Sequence, residues 1–383
     1  MIVSIYVKIY VYLLLFYIWY RFLLRFIHDL SRRKRYPELI AKVSIIIPVY
    51  NEIDYILEMC IEKLIKAKGN NQIIVVDDCS TNNSLETIKA LKKRFPKIIA
   101  LHLKKNRGKR YAQYYGLKYA TGEFIVTVDS DSIVDENAIM ELIKPFNDHK
   151  VGATTGQVRA LNREYNLLTK MIDARYLNAF SFERAALSSF GIVTCCSGVL
   201  SAYRKDIITS LAEVYISQKF LGKECTYGDD RYLTNLVLKK GYKTKYVKDA
   251  VVRTEVPYKL KQYIKQQLRW KKSFIRESLI TFSYAFKKSK LLTLETSLNL
   301  VIPFFSLFAR ILIVYLIIIS PLILIPVVLS IIVIAFIRNM LLFFEEGRVA
   351  FYSIPYAFLH ETIIYWLYWL ALFSLRDTKW GTR

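Results

Sequence analysis

The stretch GEFIVTVDSD, residues 122–131, sets five β-branched or aromatic residues behind a glycine and ends them in two carboxylates. Such a run predicts a buried strand with a polar far end. Two stretches upstream repeat the design. KVSIIIPVY (42–50) runs into Asn51 and Glu52, and QIIVVDD (72–78) ends in Asp77 and Asp78. KIIALHL (97–103) reads as another strand. Residues 53–68 and 110–120 have helical spacing, and the turn Ser80–Asn83 is suited to cap a third helix. Strand and helix in alternation predict an α/β fold, a mostly parallel sheet covered on both faces. Ligands of such sheets bind at the carboxyl ends of the strands. Asn51–Glu52, Asp77–Asp78 and Asp129–Asp131 all fall there.

The whole chain is larger than one typical domain, at 383 residues. It is 54% hydrophobic with a mean hydropathy of +0.24, which predicts membrane segments beside the α/β core. Lysine and arginine number 56 against 32 acids, a net charge of +24. Anionic lipid, nucleic acid or an anionic substrate such as a sugar nucleotide would suit that excess. No nucleic-acid-binding signature is present, so no nucleic-acid partner is expected. The cysteines, Cys60, Cys79, Cys195, Cys196 and Cys225, lack zinc-site spacing and are expected as reduced thiols.

Residues 1–30 are apolar and aromatic enough for a transmembrane helix. The apolar run is too long for a signal peptide, and no small-residue cleavage site follows. The basic cluster SRRKRY (31–36) marks the cytoplasmic side and places the domain at 40–257 there. Residues 258–290 are basic and amphipathic. Tyr263, Ile264, Leu268, Trp270, Phe274, Ile275 and Leu279 can share a face, which predicts helices lying in the membrane interface. Residues 297–344 predict a transmembrane helical hairpin, hinged near Ser320–Pro321 and Pro326. Arg310 lies inside its first arm and should face protein or water. In 351–383 an apolar run is interrupted by His360 and Glu361. A third crossing would put the terminal WGTR outside; an interfacial helix there, the favoured reading, keeps it on the cytoplasmic side. The expected location is the plasma membrane, with several crossings.

Four motifs carry chemistry. DSD holds Asp129 and Asp131 two residues apart at a strand end, hard oxygen ligands suited to Mg2+ or Mn2+ and a substrate diphosphate. A solvated turn reads the same way. GDDR (228–231) places Asp229 and Asp230 after a turn glycine. Asp230 can accept a proton from a hydroxyl, and acids there also favour a helix N-terminus. NRGKRYAQ (106–113) sets Lys109 at a helix start, where phosphate binds well. In QQLRW (266–270), Arg269 suits phosphate oxygens and Trp270 offers a flat face to a sugar ring. A headgroup-belt tryptophan is the alternative.

In order, SIIIPVYNE, VVDDCST, NRGKRYAQ, VDSDS, TGQVRALN, CCSGVLSAYR, GDDRYLTN and QQLRW resemble the processive family-2 glycosyltransferases: the cellulose, chitin and hyaluronan synthases. GDDRYLTN, QQLRWKKSFIRE and the terminal WGTR most resemble hyaluronan synthases. The resemblance implies a GT-A catalytic domain, Rossmann-like, with transmembrane and interfacial helices. It implies inverting transfer from UDP-GlcA and UDP-GlcNAc to a growing polysaccharide at the bilayer, with Mg2+ or Mn2+. A chitin-like poly-GlcNAc product and single-sugar transfer to a polyprenyl phosphate are the alternatives. Asp78 and Lys109 would contact uridine diphosphate. Asp129 would bind the nucleotide side, and Asp131 the metal. Cys196, Ser197 and Gly198 would line the acceptor site, with Asp229 also contacting substrate. Asp230 would be the catalytic base. Gln266, Arg269 and Trp270 would hold diphosphate and acceptor sugar, and Trp380, Thr382 and Arg383 would form a gate over the nucleotide. Members of this group usually carry more membrane helices than the three expected here. That leaves a minimal translocation path, a path shared in a homo-oligomer, or a short product.

Overall fold

The computed structural model describes residues 2–31 and 36–377. It opens with α1 (Ile2–Ser31). The α/β domain begins β1 (Lys42–Val49), α2 (Asp54–Lys66), β2 (Asn70–Asp77), α3 (Ser84–Arg94), β3 (Ile99–His102), α4 (Lys109–Leu117) and β4 (Phe124–Val128). It continues β5 (Ser132–Val134), α5 (Ala138–Ile143), β6 (Val151–Ala160), α6 (Leu167–Leu177), α7 (Ala185–Ser188), β7 (Leu200–Arg204) and α8 (Lys205–Ile216). A small hairpin, β8 (Lys219–Phe220) and β9 (Lys223–Glu224), precedes α9 (Asp229–Lys239) and β10 (Lys243–Thr254).

Eight strands form one sheet in the order β3-β2-β1-β4-β7-β6-β10-β5. β1 pairs in parallel with β2 and β4, β2 with β3, and β6 with β10. β7 is antiparallel to both β4 and β6, and β5 is antiparallel to β10. Alternate residues of the central strands enter opposite cores, as the two-residue strand period requires. Ile45, Ile47, Val75 and Val126 pack on one side with Leu57, Ile61 and Leu142. Ile46, Ile74, Val76 and Ile125 pack on the other with Ala112, Leu211 and Leu236. The mostly parallel, double-covered sheet thus follows from uninterrupted β-branched runs.

The helical part is α10 (Leu260–Lys288), α11 (Lys290–Ile319), a short turn Pro321–Ile323 and α12 (Leu324–Glu346). Among the described residues, Lys290–Ile319 and Pro321–Glu346 are long and apolar enough to cross a membrane. Several details differ from expectation. One helix replaces the several expected over 258–290, because no proline or glycine interrupts it before Ser289, which caps α11. Its apolar residues do not form one membrane-facing strip. Tyr263 and Ile275 are buried in the protein, while Trp270 and Leu279 stay exposed. Pro326 is no hinge: it sits in the first turn of α12, where a proline costs no helical hydrogen bond. The segment 351–374 is not one helix. Ser353–Leu359 and Leu367–Phe373 flank a π-helical turn, His360–Ile364. Arg310 meets that turn, pairing with Glu361 at 2.5 Å and lying over the Tyr365 ring at 3.6 Å. It therefore faces protein.

Candidate active site

The antiparallel β7 decides what meets at the sheet edge. Its starting end lies beside the finishing ends of β1, β2 and β4, so the CCSG loop before it joins the acids after them. Asp78 is buried and accepts hydrogen bonds from the Arg107 and Gly108 amides at 2.8 and 2.7 Å. It thereby shapes the turn that starts α4. Burial pushes its carboxyl up, against the pull of those amides. Lys109, the first residue of α4, donates to Asp129 Oδ1. Burial opposes its charge, yet Asp129, with Asp229 and Asp230 behind it, holds the ammonium above the ordinary lysine value. A β-carbon on Gly198 would stand 2.8 Å from Lys109 Nζ and 3.8 Å from Asp129 Oδ1, so this loop lies directly against the Lys109–Asp129 pair.

The GDD turn reaches the same corner. Gly228 has φ +82°, the left-handed region, and starts α9. Asp229 is buried and its Oδ1 accepts from Arg110 Nε at 2.9 Å. Arg110 also binds the Tyr215 carbonyl and Gln218 Oε1. That pair anchors α9 to α4. Asp230 points the other way. Its Oδ1 accepts from the Arg231 amide at 2.8 Å, and its Oδ2 from the Cys195 thiol at 3.5 Å and the Gly198 amide at 3.4 Å. The loop carrying those donors is fixed by two threonines: Thr234 Oγ1 accepts from the Cys196 amide, and Thr155 Oγ1 from the Ser197 amide. Asp129, Lys109, Gly198 and Asp230 thus form one connected cluster.

α10 carries QQLRW along this cluster's flank. The β-carbon of an alanine at 228 would lie 2.2 Å from Ser273 Oγ and 2.6 Å from Arg276 Nη2, so the GDD turn rests directly on α10. Arg276 donates to the Tyr227 carbonyl, and the buried Glu277 accepts from Gln218 and Asn235. Trp270 is 41% exposed, and its ring lies 6.3 Å from that of Tyr176. Burial, then the Asp131 carboxylate, raises the Tyr176 hydroxyl. Asp131 itself accepts from Ser132 and from Thr254 at the end of β10. The amide oxygen of Gln266 is buried with no hydrogen-bond partner among the described residues.

Asp377 is held beside this flank by Lys272 at 2.9 Å, and its carbonyl accepts from Tyr227 at 2.8 Å. Trp380, Thr382 and Arg383 lie outside the described residues. Sequence reasoning missed Arg110, Cys195, Glu277 and the contact of Gly228 with α10. Each depends on a partner distant in sequence, and only the pairing of Arg276 and Glu277 in KSFIRE hinted at a buried network.

Residues 44–211 match the model of the family described as Glycosyl transferase family 2. Over 360 residues the chain is 35% identical to a hyaluronan synthase of Streptococcus pyogenes, covering 89% of this chain and 83% of that one. Over 356 residues it is 34% identical to an N-acetylglucosaminyltransferase of Azorhizobium caulinodans, covering 90% and 88%. Among solved structures it resembles a mannosyltransferase from Pyrobaculum calidifontis in complex with GDP-Man and Mn2+. The TM-score is 0.63 at 17% identity, over 92% of this chain and 98% of that one, which is a likeness of fold. Fold and family model together define a GT-A glycosyltransferase, an enzyme that transfers hexosyl units. The chain belongs to glycosyl transferase family 2, and its relatives place it among the polysaccharide synthases of that family.

Proposed function

We propose that this chain is a membrane-embedded, inverting synthase that builds a hyaluronan-like polymer from UDP-GlcA and UDP-GlcNAc. One observation carries the reading. The GDD turn is seated on the QQLRW helix while Asp230 faces the loop that Lys109 and Asp129 approach. Base, donor-side charges and a sugar-stacking indole are thereby parts of one rigid unit.

In this reading, Asp230 accepts the proton of the acceptor hydroxyl. The hydroxyl oxygen attacks the anomeric carbon from the face opposite the leaving UDP, whose bond to that carbon breaks. Lys109 and Arg269 are the cations for the diphosphate, and electrostatic stabilisation of that leaving group is the dominant contribution. Trp270 stacks the acceptor sugar. Asp131 is the candidate ligand for Mg2+ or Mn2+. Among the described residues no three acids, histidines or cysteines cluster as a complete metal cage. That fits an ion whose shell is completed by substrate oxygens, as Mg2+ prefers. The metal, when bound, supplies charge neutralisation to the diphosphate.

α11 and α12 are read as a hairpin across the plasma membrane, with α1 as a further span. The catalytic domain is then cytoplasmic, and 351–374 lies along the inner face. Asp377 is moored at Lys272 and Tyr227, and in this reading the terminal WGTR gates the nucleotide.

The Azorhizobium relative favours one alternative, a poly-GlcNAc product. The deciding experiment gives purified protein single and paired UDP-sugars with Mn2+, then digests the product with linkage-specific hydrolases. A polymer that requires both donors supports the reading. A polymer from UDP-GlcNAc alone, or one sugar on a lipid, replaces it.

A further inference from the structure

Arg184 closes a π-helical segment, Asn178–Arg184, and belongs to none of the motifs that carry chemistry. Its guanidinium is spent on backbone. Nε donates to the Cys195 carbonyl and Nη1 to the Ala179 carbonyl, each at 3.0 Å, and the group lies 3.9 Å over the Phe180 ring. Three contacts leave a planar, rigid fork one orientation.

The Cys195–Cys196 peptide is thereby held at both ends. Arg184 binds its carbonyl, and the Cys196 amide of the same plane donates to Thr234 Oγ1 at 2.8 Å. Thr234 Oγ1 in turn donates to the Asp230 carbonyl at 2.7 Å. The peptide is therefore fixed relative to the backbone of Asp230. From the same loop, the Cys195 thiol and the Gly198 amide reach Asp230 Oδ2 at 3.5 and 3.4 Å. Those two bonds are long, and a thiol is a weak donor. The aim of the carboxylate thus depends on where the loop is held more than on the strength of either bond.

The segment that carries Arg184 is itself gripped from behind. Arg25 of α1 donates to the Ser181 carbonyl and pairs with Glu345 of α12 at 2.6 Å. Asn178 donates to Asn339 Oδ1 of α12 at 2.9 Å, and Arg338 of α12 lies 3.6 Å from Glu183. A widened helical turn pinned on one side and bonded to a site loop on the other is a common functional use of π-helix.

We propose that Arg184 is a positioning residue for Asp230. It acts through the Cys195–Cys196 peptide and sets the angle at which the carboxylate meets the acceptor hydroxyl. This rests on the reading of Asp230 as the base and deepens it. Lys109 and Asp129, on the donor side, share no hydrogen bond with Arg184 among the described residues, so the donor site is formed without it.

The test is a double-mutant cycle on the full chain in nanodiscs of neutral lipid. UDP release with paired UDP-GlcA and UDP-GlcNAc gives kcat and the KM of each donor. Arg184→Met should lower kcat by about ten-fold or more, the usual result of a misplaced reacting group. Each KM should stay within about two-fold, because no donor binding is lost. In an Asp230→Asn background, Arg184→Met should change the residual rate by less than about two-fold, since the group it positions is already gone. Arg184→Lys, which can reach one carbonyl but not both, should fall between wild type and Arg184→Met. Wild-type kcat in Arg184→Met, a raised KM with kcat intact, or two losses that simply multiply would each overturn the proposal. If Arg184→Met does not fold, Arg184→Lys decides by the same measures. Normal turnover in Asp230→Asn sinks the base assignment itself. A crippled Asp230→Asn beside an indifferent Arg184→Met sinks only the positioning role.

Discussion

Gly228 and Ser273 are in such close contact that a β-carbon on the glycine would stand 2.2 Å from the serine oxygen. The turn before the proposed base and the helix with the sugar platform are therefore set by one another. Gly228→Ala faces both this overlap and a left-handed φ of +82°. The conformational strain alone costs about 1–3 kcal/mol. Turnover should fall by more than ten-fold and the melting temperature should drop. Adding Ser273→Gly should recover part of the stability but not the backbone strain. A melt and a UDP-release assay on both variants check this.

Asp230→Asn keeps the shape of the side chain and removes the proton acceptor. Transfer should fall by about 10²–10⁴-fold, the usual worth of a positioned base. UDP binding, which the reading assigns to other residues, should stay near wild type by calorimetry. Near-normal turnover would remove Asp230 from the mechanism.

Lys109 gives a pH expectation. Its folded pKa is raised by Asp129, so the contact is fully present below the ordinary lysine range and is lost as pH climbs through the higher folded value. UDP affinity should thus hold from neutral pH to beyond the usual lysine titration. Lys109→Met should weaken it at every pH. A binding curve that already falls near pH 8 in the wild type contradicts this.

Glu277 is buried and accepts from Gln218 Nε2 at 2.8 Å, Arg276 Nε at 2.9 Å and Asn235 Nδ2 at 3.0 Å. Removing one partner of such a network costs about 3–5 kcal/mol. Glu277→Ala should lower both stability and turnover, because α9 loses one of its ties to α10. Glu277→Gln, which keeps an acceptor oxygen, should be milder in both. Thermal melts with parallel kcat measurements separate the two variants.

Arg310 and Glu361 form a charge pair within the helical part. Arg310→Leu leaves Glu361 with His360 alone as a partner and should destabilise the protein. The double variant Arg310→Leu, Glu361→Leu should recover much of the loss, since an apolar pair can replace a half-buried ionic one. Melting in detergent across the four proteins gives the coupling energy directly.

The sheet was legible because runs such as SIIIPV and QIIVV have no polar break, and their acidic ends named the functional edge. Asp129, Lys109, Gly198 and Asp230 do meet there. The sequence was silent on β5 to β10, where alternation is weaker and β7 reverses direction. Reversal depends on which edge a strand joins, not on its own residues. Asp229, which the resemblance groups with the substrate contacts, holds Arg110 through its acid. Adjacent aspartates at a helix start look alike until the helix rotation shows which points inward. The amphipathic reading of 258–290 fared similarly. Hydrophobic spacing identified a two-faced helix, but could not tell a protein-facing side from a lipid-facing one.

The tether from Lys272 and Tyr227 to Asp377 has a mechanical meaning. It closes the chain into a loop whose base is the GDD turn and whose far end holds both long apolar arms. Where those arms cross a bilayer, as proposed, a bilayer thicker or thinner than they are would tilt them, and the load would return to the knot at the base. On the proposed reading, membrane thickness would then be a dial on how firmly the GDD turn is clasped.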